Sequence, residues 1–208
     1  MRNGHTSSLL ALCMLLRVGQ GQLVIPAGLP STSANFRLRV HAAANHTILG
    51  TNVENWVLAT SGQRNCNQIG TLVNDGSPGQ TFFVNVESGT IQSEADGRRR
   101  ILTLEENHDK EKVLKLECGE EAISELGIDF PNSVPTLVLE RDNDSQFYAC
   151  QDETGGIGVF YRAAQNEALR SGCADISLIL ECATGPNHGA MELAVCCVRV
   201  DNGSCLSK

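Results

Sequence analysis

The sequence predicts an all-β fold: an antiparallel sandwich or partly closed barrel of about ten short strands, disulfide-bonded, with at most one short helix. Three observations predict it. Apolar and polar residues alternate with period two in short runs, as in Phe36-Arg37-Leu38-Arg39-Val40, where three apolar side chains point one way and two arginines the other. Turn-formers such as Asn74-Asp75-Gly76-Ser77-Pro78-Gly79, Ser88-Gly89 and Thr154-Gly155-Gly156 separate the runs. Cysteines crowd the last third, at Cys150, Cys173, Cys182, Cys196, Cys197 and Cys205, behind an N-terminal segment that reads as an export signal.

Taken in order, residues 1–21 carry Arg2, a short apolar run ending at Leu16, and the small residues of Val18-Gly19-Gln20-Gly21, the pattern of a signal peptide cleaved after Gly21. Cys13 leaves with it. The run is shorter than the roughly 20 apolar residues of a membrane helix, and no later segment is long or apolar enough to span. Residues 22–34, with Pro26, Gly28 and Pro30, read as a flexible lead-in. A β-rich domain is expected over 35–182. Its strands are expected at 36–40, 56–60, 68–73, 81–86, 100–104, 113–118, 136–140, 146–150, 157–161 and 175–182. A helix of one or two turns is expected over 120–126, rich in helix formers and closed by Gly127. Residues 183–208 form a cysteine-containing C-terminal extension, either a further strand pinned by disulfides or a segment outside the core, with Cys205 the candidate internal mate of its cysteines.

Loss of Arg2 and Arg17 with the signal leaves 14 basic residues against 24 acidic ones, so the net charge moves from −8 to −10 over the 187 residues that remain of 208. That sign disfavours nucleic acid and anionic lipid, whose phosphates need clustered Lys and Arg. Arg98-Arg99-Arg100, with Glu105 and Glu106 close behind, reads as a solvated hairpin flank rather than a binding patch.

Eight cysteines remain after cleavage, Cys66, Cys118 and the six already named, an even number suited to an oxidised framework whose connectivity sequence does not choose. Spacing makes Cys150 and Cys173 candidates to pair across adjacent strands. No metal site is expected: Cys196 and Cys197 are adjacent and point to opposite faces of a strand, and no Cys-x-x-Cys or nearby His completes a tetrahedral set. Asn45-His46-Thr47, Asn143-Asp144-Ser145 and Asn202-Gly203-Ser204 are candidate N-glycosylation sequences, at Asn45, Asn143 and Asn202.

No catalytic residue and no cofactor is assigned. There is no Gly-x-Ser-x-Gly elbow and no His-Glu-x-x-His. His41, His46, His108 and His188 read as solvent-exposed histidines rather than catalytic bases. Asp142-Asn143-Asp144-Ser145 begins like a calcium loop but lacks its Gly and later Glu, and reads as a turn. A glycosidase needs only two carboxylates about 5–10 Å apart, so 24 acids keep that alternative open. Trp56, the single tryptophan, sits in an apolar strand and reads as core. A ligand-holding barrel would show a cavity lined by Phe36, Leu38, Val57 or Phe82.

Three elements, Gln146-Phe147-Tyr148-Ala149-Cys150, Ser171-Gly172-Cys173-Ala174-Asp175 and Leu180-Glu181-Cys182, follow strands like Asn35-Phe36-Arg37-Leu38 and Asn55-Trp56-Val57-Leu58. In these elements and their order the chain resembles an uncharacterised domain family of small secreted fungal proteins over residues 35–182. The resemblance implies an extracellular or cell-wall protein and carries over no functional residue. Residues 183–208 extend past the family's usual end, and Cys66 and Cys118 match none of its elements. The expected function is therefore that of a secreted, non-enzymatic β-rich protein acting by surface binding, with cell-wall polysaccharide or a host protein as partner. The alternatives are a secreted hydrolase or secondary-metabolite enzyme using carboxylates, and a small-ligand-binding barrel.

Overall fold

The structure is a computed structural model that describes residues 30–43, 47–60, 67–74, 76–77, 79–95, 97–106, 111–119, 125–140, 146–162, 168–188 and 191–206. The strands are β1 (Ser31–Ser33), β2 (Asn35–Ala42), β3 (Val57–Thr60), β4 (Gln68–Val73), β5 (Phe82–Asn85), β6 (Ile91–Ala95), β7 (Arg98–Glu106), β8 (Lys112–Cys118) and β9 (Leu126–Asp129). After a 3-10 turn at Pro131–Ser133 come β10 (Thr136–Leu139), β11 (Gln146–Gln151), β12 (Ile157–Arg162), β13 (Ala174–Ala183), β14 (Met191–Glu192), β15 (Ala194–Cys196), β16 (Arg199–Asp201) and β17 (Ser204–Leu206). All ten expected runs are strands. The strands outside those runs are β1, β6, β9 and the four of the tail.

The expected helix does not extend as read. Residues 120–124 lie outside the described residues, but Leu126 and Gly127 open β9, where the ladder to β10 (Leu139↔Leu126, Val138↔Gly127) takes their main-chain groups. Local helix propensity loses to strand pairing here.

Thirteen strands form one antiparallel sheet in the order β14-β5-β6-β7-β8-β12-β4-β3-β2-β13-β10-β9, with β11 joining β12 and β13. The sheet curls until β5 meets β2 at the single pair Phe36↔Phe82, and it is not closed as a barrel. The longest ladder joins β2 to β13 over eight pairs, from Ile176↔Ala42 to Ala183↔Asn35. Alternation along β2 buries Phe36, Leu38 and Val40 completely and leaves Arg37, Arg39 and His41 on the other face. The main core gathers these with Leu58, Leu102, Leu114, Leu116, Val159, Leu178 and Leu180, and half-buried Trp56 packs against it. Phe36, Leu38, Val57 and Phe82 are at most 1 % exposed and Phe36 stacks on Phe82 with centroids 6.2 Å apart, so these side chains fill the interior that a ligand-holding barrel would keep open.

A second cluster joins Val113, Tyr148, Cys150 and Phe160, and Cys150 is bonded to Cys173. The tail carries the other two located bridges, Cys182–Cys196 and Cys197–Cys205. Adjacent Cys196 and Cys197 serve different clusters, as opposite strand faces require. Cys118 is also disulfide-bonded, and Cys66 lies outside the described residues.

Both termini contribute strands. Ser31–Ser33, at the end of the expected lead-in, is a strand paired with β15. The tail packs onto the sheet: β14 pairs with β5, Ala194 and Cys196 enter the main core, and the Asn35 amide donates to the Pro186 carbonyl at 3.3 Å. His188, expected to be exposed, has a side chain only 7 % accessible, stacked on Phe83 at 4.3 Å and 2.7 Å from Glu94. The arginine run also divides. Arg98 and Arg99 are exposed, whereas Arg100 is 2 % exposed and donates to the Gln68 side-chain carbonyl at 3.0 Å.

Cys150→Ser opens a bridge spanning 23 residues, worth about 3 kcal/mol in unfolded-chain entropy, and should lower the thermal midpoint by about 6–12 °C. Differential scanning calorimetry checks this; an unchanged midpoint means that the bridge contributes nothing. A chain ended after Ala183 should lose more than Cys150→Ser in the same scan, because it gives up the Cys182–Cys196 bridge together with Ala194 and the His188 contact. A truncated chain as stable as the full one would show that the tail rides on a self-sufficient domain.

Candidate functional site

The edge of β13 that faces away from β2 is shared. β11 takes it at Ala174–Ile176 (Phe147↔Ile176, Ala149↔Ala174), and β10 takes it only at Thr136↔Ile179, where Leu180 N–H donates to the Pro135 carbonyl at 2.9 Å. Between those points β10 leaves β13 to pair with β9. Ser177 is left at the fork. At its apex the Gln146 side-chain amide donates to the Ile176 carbonyl at 2.8 Å.

Three surface hollows meet at Ser177. One of about 730 Å³ lies against β9 and β10, lined by Asp129, Thr136, Val138, Glu140 and Gln146. One of about 690 Å³ runs between the Pro131–Ser133 turn and the β16–β17 hairpin, lined also by His41 and Asn202. The smallest, about 380 Å³, lies between His41 and the Arg162–Asp175 pair. Together they form a trough on the outer face of the sheet, lined by polar and apolar groups in comparable measure.

Its walls are held by particular contacts. Arg162 grips both Asp175 oxygens at 2.8 and 2.9 Å. His41 Nδ1 lies 3.2 Å from both Glu54 oxygens, and Glu54 Oε2 also accepts the Ala42 N–H at 2.7 Å. The β16–β17 hairpin turns through Asn202 and Gly203, with φ of 45° and 72°, the two positive angles of a type I′ turn. Gly203 is required there, because a Cβ would sit 2.6 Å from His41 Nε2. In the opposite wall Asn132 (φ 53°) and Ser133 (φ 66°) are consecutive left-handed residues that are not glycine. Asn tolerates that conformation through its short polar side chain; Ser does so less readily.

The chemistry open to this arrangement is limited. Glu54, His41 and Ser177 stand in the order carboxylate, imidazole, hydroxyl, with Ser177 directly opposite His41 in the ladder. His41 nevertheless makes no hydrogen bond to Ser177, and Gly203 packs against its half-exposed ring. The two lining carboxylates without an ion pair among the described residues are Asp129 and Glu140. Glu140 faces Glu125 across the hairpin and lays its carboxylate over Gly127, two residues along β9 from Asp129, so backbone spacing does not separate the two acids beyond the ~5–10 Å of a glycosidase pair. Among the described residues no group of three or more His, Cys, Asp or Glu is placed to hold a metal.

Of the residues singled out from sequence, Cys150, Cys173, Cys182, Cys196, Cys197 and Cys205 lie in the three located bridges, and among the described cysteines Cys205 lines the trough. Asn202 is exposed at the trough's rim. Asn45, Asn143, His46, His108 and the calcium-like segment lie outside the described residues. Sequence reasoning placed a short loop between Pro131 and Pro135 but missed Ser177, Gln146 and Asp129. The paired prolines at 131 and 135 were the available signal, since they interrupt the alternation where β10 departs.

Away from the trough, burial and then the neighbouring Glu111 carboxylate push the Tyr148 hydroxyl well above its ordinary value of 10.0; the hydroxyl donates to Glu111 at 3.0 Å and its ring stacks on Phe160. The neutral phenol is thus favoured by folding, a contribution complete below pH 10 and lost as pH rises through the raised folded value. Tyr148→Phe should therefore flatten the alkaline loss of stability in chemical denaturation above about pH 10. An unchanged alkaline slope would place its cause elsewhere.

A family model described as Domain of unknown function (DUF7907) matches residues 33–182, in agreement with the resemblance to an uncharacterised domain family and stopping at the cysteine from which the tail is hung. No curated protein and no solved structure matches the chain.

Proposed function

The chain belongs to the family described as Domain of unknown function (DUF7907), and on that premise we propose that it is a secreted, non-enzymatic protein that acts by surface contact through the trough around Ser177. The observation that carries this reading is the trough itself: a concave surface at the fork of β10 and β13 in which His41 makes no hydrogen bond to the Ser177 hydroxyl opposite it. Secretion is supported by the disulfides, which persist in oxidising compartments, and no helix of the described residues is long and apolar enough to cross a membrane. Its setting is the fungal cell wall or a host surface, with cell-wall polysaccharide or a host protein as partner. Asn202, exposed beside the trough, is the glycosylation site most able to modulate that contact.

Ser177→Trp fills the junction of the three hollows from the outer face of β13, where the side chain is only half buried. With the wild type and this variant at equal concentration, co-sedimentation with isolated fungal walls and pull-down from host extracellular fluid should show retention of the wild type and roughly tenfold weaker retention of the variant, the equivalent of ~1.4 kcal/mol. Asp129→Ala supplies a second, smaller perturbation. Equal retention of all three proteins would overturn the trough as the contact surface, and release of new reducing ends or new peptide termini would overturn the non-enzymatic reading.

A further inference from the structure

Alternation along β7 turns Arg100, Leu102 and Leu104 inward, opposite Cys118, Leu116 and Leu114 of β8, so a guanidinium enters the apolar side of the sheet. Arg100 is 2 % exposed, and an arginine side chain stays protonated. A buried charge is ordinarily matched by an opposite one, because leaving it unmatched is strongly destabilising. No carboxylate among the described residues pairs with Arg100. Glu94 and Glu117, the nearest acids on the flanking strands, stand opposite Arg99 and Ile101 and so belong to the other face.

The hydrogen-bond donors around this cation are also unmet. Arg100 gives Nη1 to the Gln68 side-chain carbonyl at 3.0 Å, yet its own Nε and the Gln68 Nε2 are fully enclosed with no acceptor. Each of these two atoms lies two bonds from that contact. Ser93, opposite Arg100 on β6, is 0 % exposed and its hydroxyl already accepts from the Gln80 amide. Nε and Nη2 form the edge on which a guanidinium takes both oxygens of a carboxylate. We propose that this edge of Arg100, with the Gln68 amide beside it, binds a small carboxylate anion, one negative charge for one buried cation. A dianion such as sulfate would leave a charge unmatched in the same enclosure. Neither residue lines the trough, so the site stands apart from the contact surface proposed above.

The test follows the thermal midpoint of the full chain at constant pH and ionic strength while sodium formate, sodium acetate or sodium sulfate replaces sodium chloride. Formate and acetate should raise the wild-type midpoint along a saturating curve, by about 3–6 °C at ten times the dissociation constant. Gln68→Glu builds a carboxylate into the chain at the contact that Arg100 already makes. In chloride this variant should hold a midpoint at or above that of the wild type, and it should lose the saturating rise. Arg100→Met, unbranched and uncharged, should lose the rise as well. Sulfate should shift all three proteins alike, as a salt excluded from the surface does. A rise with formate and acetate shared equally by the three proteins is a general salt effect and overturns the proposal. So does the lack of any rise in the wild type, since water alone would then serve the two donors. A saturating rise with sulfate alone, confined to the wild type, overturns the carboxylate as the ligand.

Discussion

Everything else in the molecule hangs on the ladder between β2 and β13. Eight register pairs tie these strands along their length, and the buried faces of both supply the centre of the main core through Phe36, Leu38, Val40, Ile176, Leu178 and Leu180. On the opposite face Arg39 reaches diagonally to Glu181, at 2.6 and 3.0 Å, and donates also to the Asn55 carbonyl at 2.8 Å, while the other Glu181 oxygen accepts the Val200 N–H. Four segments are thereby tied to one charge pair. Such a pair adds little net stability relative to apolar residues of the same shape, but removing one partner strands the other, so its main consequence is to hold β2, β13 and the tail in one register.

That ladder also explains why the tail belongs to the fold. β13 ends at the Cys182–Cys196 bridge, and the tail then returns along the same strand, with Cys197 exchanging main-chain hydrogen bonds with Leu180 and Cys182. From there β15 covers β1, and His188 caps Phe83 on the far side of the sheet. A family model that stops at residue 182 thus stops at a covalent junction, beyond which this chain carries strands that its own core uses.

The trough follows from competition for one strand edge. A ten-residue strand flanked on one side by β2 offers its other side to β11, β10 and the tail in turn, and none of them covers Ser177. Because β10 peels away to pair with β9, the hairpin face and the sheet face meet at an angle, and their outward residues line the hollow between them. A concave surface on a twisted sheet with few exposed aromatics arises here from broken pairing, not from a ligand cavity inside a barrel.

Much of this was legible in the sequence because side-chain alternation is a local property: a strand with one wet face must write its pattern into successive residues, and the ten runs read that way are strands. The opposed faces of Cys196 and Cys197 likewise follow from covalent geometry. What the sequence left open depends on pairing between distant segments. Leu126 and Gly127 carry helix signals and become strand because β10 takes their hydrogen bonds; His188 and Arg100 look solvated and are buried because Phe83 and Gln68 happen to face them. The sequence by itself determined a disulfide-bonded, all-β chain. Only the tertiary structure decided where β10 leaves β13, and with it the trough, because that choice is made by the ladder partners each strand finds and not by any run of neighbouring residues.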